Sequence, residues 1–116
     1  MDEHTIPDYF AQFDAAVTLC DRDGIVVYMN EAAGRVFAAH GGQALVGTSL
    51  MACHSPASQQ KIQAMLATGV PNVYTIEKNG VRTLIYQGPW RRNGEIAGLV
   101  EVSMVLPEEM PHYIRQ

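Results

Sequence analysis

Three dipeptides, Asp23-Gly24, Asn79-Gly80 and Asn93-Gly94, each sit between two apolar, β-prone runs. Such pairs tolerate the positive φ angles of tight hairpin turns, and a hairpin makes its flanking strands antiparallel neighbours. The first pair joins Val17-Thr18-Leu19-Cys20 to Ile25-Val26-Val27-Tyr28-Met29. The second joins Val73-Tyr74-Thr75-Ile76 to Val81-Arg82-Thr83-Leu84-Ile85-Tyr86, and the third joins that strand to a run from Ile96 to Leu106. The turns therefore imply five strands, arranged as one hairpin and one three-stranded meander.

Residues 30–70, between these two groups, read as helical. Asn30 is a good N-cap, because its side chain can accept from the free amides of a first turn. Ala33, Val36 and Phe37 then share one face, and Gly41-Gly42 ends the helix. A short segment from Gln43 to Val46 stops at Gly47. The next helix starts at Ser55, with Pro56 at its first position, where a missing N–H costs nothing. Ile62, Met65 and Leu66 form its apolar stripe, and Gly69 with Pro71 stops it. Residues 6–14, with Tyr9, Phe10 and Phe13, are expected to form a short amphipathic helix. A sheet covered by helices on one face would bury both sets of apolar residues. The first strand is apolar on both faces, Val17 and Leu19 on one, Ala16 and Cys20 on the other. Its outer face needs a cover of its own, from the N-terminal helix or a second subunit.

The 116 residues fit one domain, with a core over 15–106 and a short tail over 107–116. A formal net charge of −4 with no basic block weighs against nucleic acid or an anionic membrane as partner. Met1-Asp2-Glu3-His4 is no signal peptide and no apolar run approaches a membrane span, so a cytoplasmic location is expected. Two cysteines, Cys20 and Cys53, make no disulfide framework. No nucleophile, base and orienting group recur at a recognisable spacing, so no enzyme is expected.

The stretch "DAAVTLCDRDGIVVYMNEAAGRVF", residues 14–37, resembles a PAS domain. Asp21, Gly24 and Asn30 stand where that family has an Asp-x-x-Gly turn and the Asn that caps its first core helix. "ALVGTSL" resembles the Gly after its second short helix, and "GEIAGLVEVSMVL" its last strand. The resemblance covers residues 8–106. "CHSPASQQKI" and "LIYQGPW…GLVEVSMVLPEEMPH" look like a bacterial PAS subgroup found beside hemerythrin-like domains. The resemblance implies an α+β fold: a five-stranded antiparallel sheet, order 2-1-5-4-3, with short helices over one face. It also implies a cavity between the two layers that holds a small molecule, a sensory role, and a homodimer. PAS domains normally pass their signal to an output domain on the same chain. The sequence ends shortly after the last strand, so the output is expected through a partner in trans or within a longer parent protein. The alternative is a ligand-free interaction module.

The expected pocket candidates are Cys53 and His54 before the second helix, Phe37 and Met65 on the helices, and Tyr86, Gln87 and Trp90 on the fourth strand. Strand alternation leaves two sets open there, one with Tyr86 and one with Gln87. Cys53 and His54 lie just outside the helix N-terminus, whose dipole favours a thiolate. The plainer reading makes Cys53 a small buried apolar residue and His54 a partner of a backbone group, with no metal or chromophore bonded to either. Haem-sensing PAS domains use a His in this region, which makes His54 the candidate axial ligand if haem is bound. A flavin site would need Asn-Cys-Arg soon after Gly47, where Thr48-Ser49-Leu50 stands instead. The other histidines are scattered, and no further metal site is expected.

Overall fold

The computed structural model describes residues 7–116, except for the side chain of Cys53. Its helices are α1 (Asp8–Ala11), α2 (Glu31–Val36) and α3 (Pro56–Thr68). Its strands are β1 (Ala16–Asp21), β2 (Val26–Met29), β3 (Asn72–Lys78), β4 (Val81–Arg92) and β5 (Glu95–Val105). They form one antiparallel sheet in the order β2-β1-β5-β4-β3, as the resemblance implies. The central pairing of β1 with β5 is the non-local step that closes the hairpin onto the meander.

All three expected turns are present, but not by one mechanism. Asn79 and Asn93 both have φ +53, followed by Gly80 at +78 and Gly94 at +83. Two consecutive left-handed residues make the type I′ turn whose twist matches a hairpin. In the first turn only Gly24 has a positive φ, +79. There the Asp21 carboxylate accepts from the Asp23 amide at 2.9 Å and from the Ile25 amide at 3.0 Å. The Gly24 amide donates to the Asp21 carbonyl at 3.0 Å, giving a longer turn held by a side chain.

Asn30 caps α2, accepting from the Ala33 amide at 2.9 Å. The helix stops at Val36, earlier than Gly41-Gly42 suggested, and a 3-10 turn over Ala38–His40 follows. The backbone leaves α geometry at Phe37, with φ −99 and ψ 20. The helical period breaks there, so Phe37 turns onto the core of Ala16, Val26, Met29, Ala32 and Ala33. Val36, expected on that face, is instead exposed.

The helix expected over 6–14 is one turn, Asp8–Ala11, and residue 6 lies outside the described residues. It has no side-chain cap and no buried residue, and without a packed face a short helix is not sustained. Tyr9, Phe10 and Phe13 remain largely exposed and pack on one another, with ring centroids 4.7 and 5.9 Å apart.

Helix α3 matches the sequence reading from end to end. Ser55 accepts from the Ser58 amide at 3.2 Å, Ile62, Met65 and Leu66 are buried, and Gly69 ends the helix at φ +75. These three residues pack with Cys20 and Leu99 on the sheet. Ser55→Ala removes the cap and is expected to lower stability by about 1 kcal/mol. Urea unfolding checks this; an unchanged midpoint would mean that the hydroxyl adds nothing to the helix start. Among the described residues no helix is long and apolar enough to cross a membrane.

Candidate functional site

The sheet register places Met29, Thr18, Glu101, Gln87 and Asn72 on one row that crosses all five strands. Residues paired across strands project to the same face, so this row lies on the side covered by the helices. The neighbouring row, Val26, Cys20, Leu99 and Pro89, is apolar. Between this face, α3 and the 3-10 segments lies a cavity of about 740 Å³. The helix side contributes Ile62, Met65 and Lys61, and the segment between α2 and α3 contributes His40, Leu45 and His54. One floor is thus half apolar and half polar, a division set by the register.

The polar half is organised by Gln87. Its amide oxygen accepts from Asn72 at 3.2 Å, and its nitrogen donates to a Glu101 oxygen at 2.9 Å. The same nitrogen has a longer contact, 3.5 Å, with the Tyr74 hydroxyl. Burial pushes the Tyr74 phenol above its ordinary 10.0, and the Glu101 charge adds to the effect. Cys20, 2% exposed, is likewise held above its ordinary 9.0 by burial, aided by Asp21 and opposed by a hydrogen bond from the Leu99 backbone.

In both groups the folded state favours the neutral form more than the unfolded chain does. Their contribution to stability is full below the unfolded values and is lost as pH rises through the raised ones. Stability should therefore decline above pH 9 for Cys20 and above pH 10 for Tyr74. Cys20→Ala is expected to flatten the first part of that decline in urea midpoints measured across alkaline pH. The same slope with and without the thiol would remove Cys20 from the account.

Of the sequence candidates, Phe37, His54, Met65 and Gln87 line the cavity. Tyr86 and Trp90 do not, because Gln87 faces inward and its alternate neighbours face outward. The Tyr86 ring lies over Gly88, and Trp90 lies over Gly98, its indole nitrogen donating to the Cys20 carbonyl at 2.9 Å. These two rings belong to the outer face of the sheet. The Cys53 backbone ends a 3-10 turn, Met51–Cys53, while its side chain lies outside the described residues. His54 pairs through Nδ1 with the Leu50 carbonyl at 2.6 Å, which makes Nδ1 the protonated nitrogen. Gln59 braces the same segment, donating to the Met51 and His54 carbonyls at 2.7 and 3.0 Å. The stretch "LMACHSP" is thus a tied entrance to α3.

Sequence reasoning missed Glu101, Asn72, Tyr74 and Thr18. One signal was available: Glu101 is the only charged residue between Ile96 and Leu106.

Residues 10–109 match a family model described as the PAS fold. The chain belongs to the PAS family. No curated protein matches the sequence. Among solved structures, the Vibrio cholerae VqmA dimer without its target DNA matches at TM-score 0.66 and 18% identity, over 100% of this PAS domain and 58% of that chain. A sensory box sensor histidine kinase from Vibrio cholerae matches at TM-score 0.62 and 15% identity, over 86% and 88% of the two chains. The Aer2 receptor from Vibrio cholerae, a dual PAS-heme oxygen sensor, matches at TM-score 0.57 and 20% identity, over 80% and 95%. This PAS domain spans little more than half the length of the VqmA chains. At these identities the likeness is one of fold.

Proposed function

We propose that this PAS domain is a sensory, regulatory module that binds a small molecule between its sheet and α3. Its signal passes through dimerisation or through a partner in trans. The observation that carries the reading is the cavity of about 740 Å³, whose floor joins an apolar row to a hydrogen-bonded polar one. Sites for small molecules combine mostly apolar walls with a few placed polar groups. The structural neighbours support the sensory part: VqmA was solved bound to DPO, and the others are a sensor kinase and an oxygen receptor. The DNA bound by VqmA belongs to a chain of which only about half matches, and a net charge of −4 weighs against nucleic acid as a partner here.

Dimerisation draws on the outer sheet face, where Leu84, Tyr86, Trp90, Val100 and Val102 are only half-buried. The exposed rings of Tyr9, Phe10 and Phe13 add further apolar surface. Sedimentation over a range of concentrations tests this arm, and a monomer throughout would leave only a partner in trans.

Native mass spectrometry of the purified protein tests the binding arm directly. A co-purifying small molecule is expected, and Met65→Trp, which fills the cavity from the buried face of α3, is expected to displace it. Binding unaffected by Met65→Trp would move the site out of the cavity. A haem sensor is the second reading, favoured by one detail. With Nδ1 tied to the Leu50 carbonyl, His54 is in the tautomer whose Nε2 offers a lone pair, as metal-binding histidines do, and no described residue donates to it. A Soret band lost on His54→Ala would establish it; a colourless protein as purified, unchanged by added haemin, would exclude it.

A further inference from the structure

The polar half of the cavity floor has a definite sign. Glu101 is half-buried on the middle strand, and one of its oxygens is taken by the Gln87 amide at 2.9 Å. The other receives no protein donor among the described residues. Nor does any described Lys, Arg or His come within salt-bridge distance, since the one such pair among the described residues is Arg82 with Glu77, on the surface. Lys61, the one lysine of the lining, is exposed on α3. Gln87 cannot turn to offer its own oxygen, because that atom is held by Asn72 and its nitrogen by Glu101.

A carboxylate tolerates this position while water reaches it. A ligand that covers the floor strips that water away, and a carboxylate with one oxygen left without a donor or cation then becomes expensive. A ligand that brings its own N–H donors or positive charge removes the penalty. One that brings an anion adds like-charge repulsion. The apolar row beside it, with Leu99 on the sheet and Ile62 and Met65 on α3, asks for a hydrophobic body on the same molecule.

We propose that the ligand of this cavity is a small organic cation or N–H-rich molecule, such as an ammonium, amidinium or protonated heterocycle. Its polar head rests on the free oxygen of Glu101 and its apolar body lies against Met65 and Leu99. The proposal rests on the cavity being the binding site and adds the ligand's charge class to it.

Three planar probes of one shape separate the charges: benzamidinium, neutral benzamide and benzoate. Each is titrated into the ¹⁵N- and methyl-labelled protein and followed by NMR. Benzamidinium is expected to shift the Gln87 side-chain amide and the Met65 and Leu99 methyl signals, and to bind about tenfold or more tightly than benzoate, as one charge-assisted hydrogen bond to a carboxylate warrants. Glu101→Gln keeps an oxygen for the Gln87 amide and should abolish that preference, leaving benzamide within about twofold of its wild-type affinity, well under one such bond. Equal binding of benzamidinium and benzoate at the cavity residues would overturn the charge class and leave the cavity reading standing. A preference that survives Glu101→Gln, or no benzamidinium shift at the cavity at all, would also overturn it. The cavity reading itself fails by the separate Met65→Trp outcome.

Discussion

Asn30→Ala is expected to lower the stability of this PAS domain by about 3 kcal/mol or more, a shift of more than about 1 M in the urea midpoint. Asn30 is 2% exposed and its one amide group makes four hydrogen bonds. The oxygen accepts from the Val17 amide and the Ala33 amide, both at 2.9 Å. The nitrogen donates to the Phe10 carbonyl at 3.0 Å and the Ala15 carbonyl at 2.9 Å. One side chain thus continues the β1–β2 pairing, caps α2 and ties down the chain before β1. Alanine would strand two amides and two carbonyls, and a buried orphan costs more than an average hydrogen bond contributes. The cap alone accounts for about 1 kcal/mol. Asn30→Asp keeps the two accepting contacts but sets an oxygen against two carbonyls, so it should recover only part of the loss. A cost for Asn30→Ala near that of a cap alone would show that the contacts to Phe10 and Ala15 add nothing.

Gly98→Ala is expected to cost a comparable amount, about 3 kcal/mol, at the upper end of overpacking effects. A methyl group there would collide with the Cys20 carbonyl oxygen and would lie 2.7 Å from the Trp90 indole nitrogen. The first obstacle is backbone and cannot rotate away. The second is the donor to that same carbonyl, so the Trp90–Cys20 hydrogen bond is disturbed as well. Gly94 supplies the control. It has φ +83 but nothing within 4 Å of an added Cβ, so Gly94→Ala should show only conformational strain, about 1–2 kcal/mol. Trp90→Phe should cost about 1–2 kcal/mol by leaving the Cys20 carbonyl without its donor. Equal midpoints for Gly98→Ala and Gly94→Ala would mean that β1 and β5 can separate at no cost, and the close approach would not be what requires glycine.

The sequence by itself determined what depends on local chemistry. Two left-handed residues in a row at Asn79-Gly80 and Asn93-Gly94 admit few structures other than a hairpin. Asn30 and Ser55-Pro56 start helices because their side chains and φ angles suit a first turn wherever the helix lies. The apolar stripe Ile62-Met65-Leu66 names a buried face without saying what it meets. Strand number, the PAS resemblance and the position of α3 follow from such signals, and the structure agrees with each of them.

What needed the tertiary structure was register. A strand alternates, but a shift of one residue exchanges its faces. The sequence therefore left Tyr86 and Gln87 as equal candidates, and only the pairing of β4 with β5 and β3 puts Gln87 inward and Tyr86 and Trp90 outward. Glu101 and Asn72 join Gln87 from strands 14 and 15 residues away, a proximity with no local trace. The length of α1 also needed the tertiary structure, since a short amphipathic pattern forms a helix only where something packs against it. Local signals placed the elements of this PAS domain. The polar row on its cavity floor, and with it the sign of charge that floor offers a ligand, exists only because four strands meet in one register.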